Sequence, residues 1–346
     1  MAAPSRHVAS LTAAAPLFES ELGSVRQVCA EQLPIMRRLS VKRLLLAPGS
    51  IREPHWHANA DELTYCLAGE LLVSVLDDGS SFSSFRLGAG EMFHVESGSL
   101  HHIENVGEGE AELIVAFRHE RPEDFSMHAA LGAMSDAVLG NTYGLPASAF
   151  AAIPRSTDPA YLVRREGEPT IPDGAALDDP HRFAIEAQAA PVESAAGLAR
   201  VARQQFWPAL RNISMYSLRV TAAGMREPHW HPETAEMGYV HRGRARMTIM
   251  DPDGGTDTYE LGPGDVYFVP RAYPHQIEVL GEEEIHFLVF FDQPTPGDIG
   301  YRAAATAHSR EVLAATLGIA PTALPELPFT PEDPLIVERL NPRDPG

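Results

Sequence analysis

Short runs of apolar and polar residues, separated by glycine turns, recur along the sequence. Residues 63–79 (LTYCLAGELLVSVLDDG) and 237–255 (MGYVHRGRARMTIMDPDGG) each indicate a strand, a glycine turn, a second strand and an Asp/Gly hairpin. Residues 85–98 (FRLGAGEMFHVESG) and 259–272 (YELGPGDVYFVPRA) continue with the same spacing. The pattern predicts a mainly β protein that forms an antiparallel sandwich or barrel.

Helical periodicity is found in two stretches, 129–144 (AALGAMSDAVLGNTYG) and 303–318 (AAATAHSREVLAATLG). Each stretch stops at a glycine, the residue that most often ends a helix in the left-handed conformation. The sequence therefore predicts two β-barrels, each followed by short C-terminal helices.

The second barrel is expected because the sequence repeats itself. REPHWH occurs at 52–57 and again at 226–231, a shift of 174 positions. The same shift runs without an insertion into the helical stretches, and a chain of 37.6 kDa is long enough for two hydrophobic cores. We predict an N-terminal domain at 1–165, a connector rich in Pro, Asp, Glu and Ala at 166–196, and a C-terminal domain at 197–346.

The composition excludes some classes of partner. The formal net charge is −20, which argues against binding to nucleic acid or to an anionic membrane surface. Cys29 and Cys66 are the only cysteines and lie far apart, so a reducing compartment is expected. The N-terminal residues have no apolar run typical of a secretion signal, and the chain has no membrane-spanning stretch. These features predict a cytoplasmic protein.

The repeated motif contains residues that can bind metal. Strand residues i and i+2 share a face, so His55 and His57 point the same way, and Glu62 and His101 follow in the same copy. The second copy has the same set at the same separations: His229, His231, Glu236 and His275. Three histidines and one glutamate would satisfy Zn²⁺, but they suit six-coordinate Mn²⁺ or Fe²⁺ better because two positions stay open. We predict two metal ions per chain.

At these residues the sequence resembles the cupin superfamily. Residues 49–69 are similar to the first cupin motif, in which glycine, His-x-His, glutamate and a second glycine follow at fixed spacing. Residues 90–105 are similar to the second motif, with Glu96 where proline is usual. In the second copy Ala272 and Val279 replace the usual glycine and asparagine, but all ligand residues are present. The resemblance implies a bicupin with two double-stranded β-helix (jelly-roll) barrels.

Among bicupins the sequence resembles the oxalate decarboxylases. An arginine precedes the first ligand by three residues in both copies, HWH occurs twice, and HHIENVG follows at 101–107. The resemblance implies that a small carboxylic acid such as oxalate chelates Mn²⁺, and that Arg52 and Arg226 bind the carboxylate. A guanidinium suits this role because it stays charged and can donate two parallel hydrogen bonds.

The lids of the two barrels depart from the family pattern. Decarboxylases have a Ser-Glu-Asn-Ser lid in one domain, whereas this chain has RPEDFS at 121–126 and TPGDIG at 295–300. Glu123 is a candidate proton donor by this resemblance, with a solvated loop charge as the alternative, and Gly297 cannot take the donor role in the second copy. We therefore expect the first barrel to be the catalytic one. The lid aspartates fall in register, which predicts a shared cap or turn role for Asp124 and Asp298.

Two other functions share this ligand set. The first is an oxygen-dependent bicupin, either an oxalate oxidase or a dioxygenase with iron or copper, for which dioxygen would be a second substrate. The second is a metal-containing protein, with Zn²⁺ among the candidate ions, that binds a small molecule without turnover. The family resemblance also implies a homo-oligomer, because the terminal helices of cupins pack against neighbouring barrels.

Overall fold

The computed structural model describes residues 5–328, 330 and 332–343, and they form two compact units. The N-terminal barrel comprises Leu11–Gln32 and Arg38–Ala187. The C-terminal barrel comprises Leu33–Arg37, the described residues up to Ser10 and those from Gln188 onward. Each barrel is built from two antiparallel β-sheets.

The first half of the chain contains β1 (Val8–Ser10), β2 (Pro16–Ser20), β3 (Gly23–Val28), β4 (Ser40–Leu46), β5 (Ser50–His57), β6 (Glu62–Ala68), β7 (Glu70–Leu76), β8 (Phe82–Gly88), β9 (Met92–Val95), β10 (Leu100–Asn105), β11 (Ala111–Phe117), β12 (Asp124–Ser126) and β13 (Leu162–Arg164). The second half contains β14 (Arg182–Phe183), β15 (Val192–Ser194), β16 (Gly197–Ala202), β17 (Ser214–Val220), β18 (Gly224–Trp230), β19 (Glu236–Arg242), β20 (Arg244–Met250), β21 (Thr256–Leu261), β22 (Asp265–Val269), β23 (His275–Leu280), β24 (Ile285–Phe291), β25 (Ile299–Gly300) and β26 (Ile336–Glu338). The helices are α1 (Met127–Gly132), α2 (Asp136–Tyr143), α3 (Tyr301–Thr306) and α4 (Arg310–Leu317), with 3₁₀ turns at Ala147–Phe150, Ile185–Ala187 and Pro321–Ala323.

In the N-terminal barrel one sheet has the order β12-β5-β10-β7-β8, with β13 also paired to β5. The other sheet has the order β14-β9-β6-β11-β4-β3-β2. Alternate side chains of both sheets point inward and form the core, in which Phe85, Phe93 and Phe117 are almost completely buried. Each such burial contributes about 1.5–3 kcal/mol to stability.

The C-terminal barrel repeats this topology. Its sheets have the orders β25-β18-β23-β20-β21, with β26 also paired to β18, and β1-β22-β19-β24-β17-β16-β15. Its core contains the buried rings of Tyr267, Phe287 and Phe291. The predicted mainly β fold, with two jelly-roll barrels that are each followed by short helices, is confirmed.

Hydroxyl side chains and glycines set the limits of the longer terminal helices. Ser135 accepts a hydrogen bond from the Val138 backbone at the start of α2, and Ser309 does the same for α4. Gly144 and Gly318 end these helices with φ of 67° and 68°, the left-handed conformation that the sequence predicts. Within the described residues no helix has the length and apolar character needed to span a membrane.

A short leader strand pairs with the edge of one sheet in each barrel. In the C-terminal barrel β1 pairs with β22, and Val8 lies opposite Tyr267. In the N-terminal barrel β14 pairs with β9, and Arg182 lies opposite Phe93. Arg182 is 174 positions after Val8, and Phe93 is 174 positions before Tyr267, so the two pairings are equivalent in the repeat. Each barrel is thus completed by the leader strand that precedes the other barrel in the sequence.

A histidine holds each leader in place. The His7 ring lies 2.8 Å from the Phe268 carbonyl oxygen, and its Nε2 is 3.6 Å from Asp251 Oδ1. The equivalent His181 Nε2 lies 2.9 Å from Asp77 Oδ2. Because the leaders are exchanged, the compact units differ in detail from the predicted bounds 1–165, 166–196 and 197–346.

Candidate metal centres

In the N-terminal barrel three strands bring the predicted ligands together. β5 points His55 and His57 into the barrel because they are two residues apart, and Trp56 faces the other way and stacks on Phe125. β10 places His101 opposite His55 in the sheet. Glu62 begins β6 in the facing sheet. All four ligand side chains are buried.

The geometry of this cluster fits a metal ion. One donor atom from each of the four residues lies within 4.8 Å of every other. Glu62 Oε2 is 2.8 Å from His57 Nε2 and 3.3 Å from His101 Nε2. His55 Nδ1 and His101 Nδ1 hydrogen-bond to the backbone oxygens of Glu53 and Ser99, which leaves the Nε2 atoms facing the cluster. The buried His101 Nε2 has no hydrogen-bond partner among the described atoms, as expected of a metal ligand.

The C-terminal barrel contains an equivalent cluster. One donor atom from each of the four residues again lies within 4.8 Å of the others: His229, His231, Glu236 and His275. Glu236 Oε2 lies 2.6 Å from His231 Nε2 and 3.4 Å from His275 Nε2. The Nε2 atoms of His229 and His275 are buried and lack hydrogen-bond partners among the described atoms. The structure thus brings all eight predicted ligands together in two sites.

Electrostatics favour a cation at both sites. Burial raises the pKa of Glu62, but attraction to His101 and His57 outweighs burial and keeps that pKa well below 4.5. Burial lowers the pKa of His57, but hydrogen bonds to Asp124 and Glu62 outweigh it, so the net shift is upward. Burial and the charge of Arg52 lower the pKa of His55 well below 6.5, so this ring is a neutral potential ligand.

The two sites hold the free oxygen of their glutamates differently. Thr64 Oγ1 donates to Glu62 Oε1 over 2.8 Å in the N-terminal barrel. In the C-terminal barrel glycine takes the position of Thr64, and the Tyr267 hydroxyl donates to Glu236 Oε1 over 2.5 Å. Burial and the negative charge of Glu236 raise the pKa of Tyr267 well above 10, so this hydroxyl keeps its proton. Different residues thus provide the same support for the ligand.

The lid aspartates contact the sites, which the sequence interpretation as a cap or turn did not foresee. Asp124 Oδ1 lies 2.8 Å from His57 Nδ1, and Asp298 Oδ1 lies 2.7 Å from His231 Nδ1. Burial raises the pKa of Asp124, but its bond to His57 and the charge of Lys42 outweigh burial and lower it. A carboxylate at this place orients the imidazole and strengthens it as a ligand. The only sequence signal for this role was that the two aspartates are in register.

The predicted carboxylate-binding arginines are buried and paired with the lid aspartates. Arg52 Nη2 is 3.3 Å from Asp124 Oδ2, and Arg226 Nη2 is 2.7 Å from Asp298 Oδ2. Both guanidinium groups also donate to backbone oxygens of the segments that lead into β13 and β26. These residues lie where the resemblance places them, but a substrate carboxylate would have to compete with an aspartate for them.

The predicted proton donor is on the surface of the lid. Glu123 is exposed; its backbone N–H donates to Asn59 Oδ1, and its carbonyl accepts from the Ala58 N–H. In the C-terminal barrel the carbonyl of Gly297, at the same place in the repeat, lies 3.1 Å from His231 Nδ1. Asp124, and not Glu123, is therefore the lid carboxylate that contacts the metal ligands.

A small cavity adjoins the first metal site. Its volume is ≈ 20 Å³, which is room for about one water molecule. The polar part of the wall consists of five residues: Lys42, Arg52, His55, His57 and Glu62. The remaining wall is aliphatic apart from the ring of Phe117. Sequence reasoning missed Lys42, which is 6% exposed and sits among the apolar residues of β4.

Comparison with known proteins agrees with the fold. A profile of the Cupin family matches residues 9–149 and 183–324. Oxalate decarboxylase OxdC of Bacillus subtilis is 30% identical over 284 residues, which cover 80% of this chain and 73% of that protein. A solved structure of Bacillus subtilis oxalate decarboxylase that concerns its Mn(II) centres superposes with a TM-score of 0.85, at 25% identity, over 98% of this chain and 90% of that one.

A shorter similarity extends to plant proteins. An oxalate oxidase of Triticum aestivum is 38% identical over 87 residues, which cover 24% of this chain and 39% of that protein. The match to the bacterial decarboxylase covers 80% of the chain, whereas this one is shorter than a single barrel.

Proposed function

We propose that this chain, which belongs to the cupin family and has the two barrels of a bicupin, is a manganese-dependent decarboxylase of a small carboxylic acid, with oxalate as the expected substrate. The decarboxylase relative that matches along 80% of the chain supports the reaction class. The mixed nitrogen and oxygen donors of the two ligand sets suit Mn²⁺, and Fe²⁺, Cu²⁺ and Zn²⁺ are the alternatives.

The observation that carries the proposal is the cavity of the N-terminal barrel. Its polar wall joins a metal-type ligand set to two buried cations, Lys42 and Arg52. Buried positive charge beside a metal site is suited to an anion, and the cavity of ≈ 20 Å³ must enlarge before a two-carbon acid can enter. An aromatic substrate would need a far larger cavity with stacking walls, so the ring-cleaving dioxygenase is disfavoured.

The residues of the chain have separate roles in this proposal. A bound divalent metal supplies Lewis acidity and an anchor for the substrate's oxygens. Arg52 binds a substrate carboxylate in the N-terminal barrel, and Arg226 has the same capacity in the C-terminal barrel. Glu123 supplies the proton that replaces CO₂ on the remaining carbon, for which the exposed lid segment must fold inward. Asp124 keeps the His57 ring in its liganding orientation through the 2.8 Å contact.

Oxalate oxidation is the second candidate, and the 87-residue similarity to the oxalate oxidase of Triticum aestivum favours it. The two reactions differ in the substrates they consume and the products they release. Decarboxylation converts oxalate and one proton into CO₂ and formate, whereas oxidation converts oxalate, dioxygen and two protons into two CO₂ and hydrogen peroxide. A non-enzymatic binding protein would yield none of these products.

The test is an assay of protein produced with excess manganese, in which oxalate, formate, CO₂ and peroxide are all quantified. Formate and CO₂ in equal amounts are expected, with little peroxide. Stoichiometric peroxide without formate would establish the oxidase instead. Saturable oxalate binding without any product would leave a binding protein, and the double variant His57→Ala/His231→Ala provides the metal-depleted control.

A further inference from the structure

Lys42 is a buried cation found in only one of the two metal sites. It lies on β4, is 6% exposed, and its Nζ is 4.7 Å from the centre of the Phe117 ring. The equivalent residue in the C-terminal barrel is Tyr216, whose ring lies 4.8 Å from that of Phe291. Phe117 and Phe291 are themselves related by the 174-residue shift. The two side chains therefore occupy the same place, and only one of them is an ammonium.

We propose that Lys42 is a carboxylate-binding residue of the N-terminal barrel, and that together with Arg52 it selects small anionic acids at that site. The inference rests on the proposed function because it concerns the substrate of the same cavity. It adds a specificity-determining residue that the C-terminal barrel lacks.

The contacts of Asp124 show how a carboxylate fits between the two cations. Asp124 Oδ2 lies 2.6 Å from Lys42 Nζ and 3.3 Å from Arg52 Nη2. A substrate carboxylate is the same chemical group and can replace this oxygen when it enters the cavity. Asp124 can still support the metal site after such a replacement, because its other oxygen contacts His57 Nδ1 over 2.8 Å.

Burial makes this contact selective. Lys42 is buried, and Val25, Leu44 and Val115 line the same cavity, where a charged group without a partner is costly. A neutral molecule that displaced Asp124 would leave the ammonium unpaired, whereas a carboxylate would keep it paired. In the C-terminal barrel Tyr216 provides no ammonium at this place, and the Arg203 guanidinium lies 5.2 Å from the centre of its ring.

The test compares oxalate binding and turnover in manganese-loaded variants at this position. Lys42→Met removes the charge, Lys42→Arg keeps it, and Lys42→Tyr installs the residue that the C-terminal barrel accommodates against its own phenylalanine. Arg43→Met is the matched control, because it removes one positive charge from the adjacent residue of β4, whose side chain pairs with Glu112 and does not line the cavity. Manganese content and melting temperature are recorded for each.

Loss of the charge should weaken oxalate binding, measured by calorimetry, by about 10- to 100-fold, since a hydrogen bond to a charged group is broken. KM should rise more than kcat falls, Lys42→Arg should recover part of the affinity, and Arg43→Met should match the parent protein.

If Lys42→Met and Lys42→Tyr both contain manganese and bind oxalate as the parent does, Lys42 only supports Asp124 and the inference is wrong. If the parent protein neither binds nor consumes oxalate, the proposed function fails and this inference fails with it. Should Lys42→Met not fold, Lys42→Tyr decides the question.

Discussion

Gly238 and Tyr267 are opposite each other on neighbouring strands, and the tyrosine ring fills the space that a side chain on Gly238 would need. A Cβ at position 238 would lie 2.1 Å from Cε1 of Tyr267. The absence of that Cβ allows the hydroxyl of Tyr267 to reach Glu236 Oε1 at 2.5 Å. In the N-terminal barrel the equivalent pair is Thr64 and Phe93, and there the threonine supports the glutamate.

This relationship predicts that the two residues can be exchanged only together. Gly238→Thr alone should displace Tyr267 and weaken metal binding at the C-terminal site by about 10- to 100-fold, because the glutamate loses its support. The double variant Gly238→Thr/Tyr267→Phe recreates the pair of the N-terminal barrel and should restore most of the affinity. Metal titration monitored by spectroscopy or calorimetry measures both effects. Equal affinity in the single and double variants would contradict the prediction.

Each metal site should be occupied independently, because all four of its ligands belong to one barrel. Protein produced with excess manganese should contain two equivalents of metal per chain. His57→Ala should lose the first ion and His231→Ala the second, and each should retain about one equivalent. The altered barrel should also melt at a lower temperature, since metal binding is linked to folding. Elemental analysis of both variants checks this, and well under one equivalent in the parent protein would rule it out.

The stability of the metal-free protein should peak near pH 6.5. The pKa of His231 is raised to about 9, because its bonds to Asp298 and Glu236 outweigh burial, so its contribution is complete below 6.5 and is lost as the pH rises towards 9. Burial and the charge of Arg226 lower the pKa of His229 well below 6.5, so its contribution is complete above 6.5 and is lost on acidification. The pKa of Glu236 is lowered as well, which adds a loss of stability below 4.5.

Melting temperatures of metal-free protein between pH 4 and pH 9 measure this profile. Manganese should move the maximum to higher pH, because the metal replaces the proton on His231. A metal-free profile that rises steadily from pH 6.5 to pH 9 would show that His231 is not protonated in the folded state. The variant His231→Ala serves as the control, since it should remove the decline on the alkaline side that this histidine causes.

Turnover should take place in the N-terminal barrel, where Glu123 on the lid and the two buried cations Lys42 and Arg52 occur together. Glu123→Gln should lower kcat by about 10²- to 10⁴-fold with a modest change in KM, as expected for a lost proton donor. Arg52→Leu should raise KM as well, because a carboxylate contact is removed. The comparison is with Arg226→Leu, which should leave most of the activity. The reaction would instead belong to the C-terminal barrel if Arg226→Leu abolished activity while the protein remained folded and kept its first metal, and if Glu123→Gln had no effect.

The protein should self-associate through the surfaces of its terminal helices. Val138 and Leu145 are 49% and 53% exposed near α2, and Val312 and Leu317 are 53% and 57% exposed on α4. Large apolar side chains exposed on the surface can mark an interface. Sedimentation should therefore give a species larger than 37.6 kDa at micromolar concentration, and Val138→Glu/Val312→Glu should shift it towards the monomer.

A matched control for self-association is Phe82→Glu, which changes an apolar residue of β8 that is 66% exposed and lies outside the helices. It should leave the sedimentation behaviour unchanged. A parent protein that sediments as a 37.6 kDa monomer at these concentrations would show that the helix surfaces are not an interface.

The ligand positions could be predicted from the sequence because strand geometry determines them locally. The i, i+2 spacing orients His55 and His57, and the exact repeat indicates which further residues join them. Lys42 could not be found in this way, because a lysine in a strand is usually exposed. Only the folded barrel shows that Lys42 lines the cavity. Tyr267 was missed for a related reason: it replaces Thr64 in function but stands on a different strand.

The exchange of the leader strands has a consequence for the newly made chain. His7 and the carbonyl of Phe268 that it contacts are 261 positions apart, so β1 leaves the ribosome long before its partner strand is made. At 5–20 residues per second the wait is roughly 10–50 s, during which the N-terminal barrel has time to fold. The second leader, by contrast, emerges after its partner strand β9 is complete. Strand β1 therefore reaches its final place only after most of the C-terminal barrel has been made, although it precedes both barrels in the sequence.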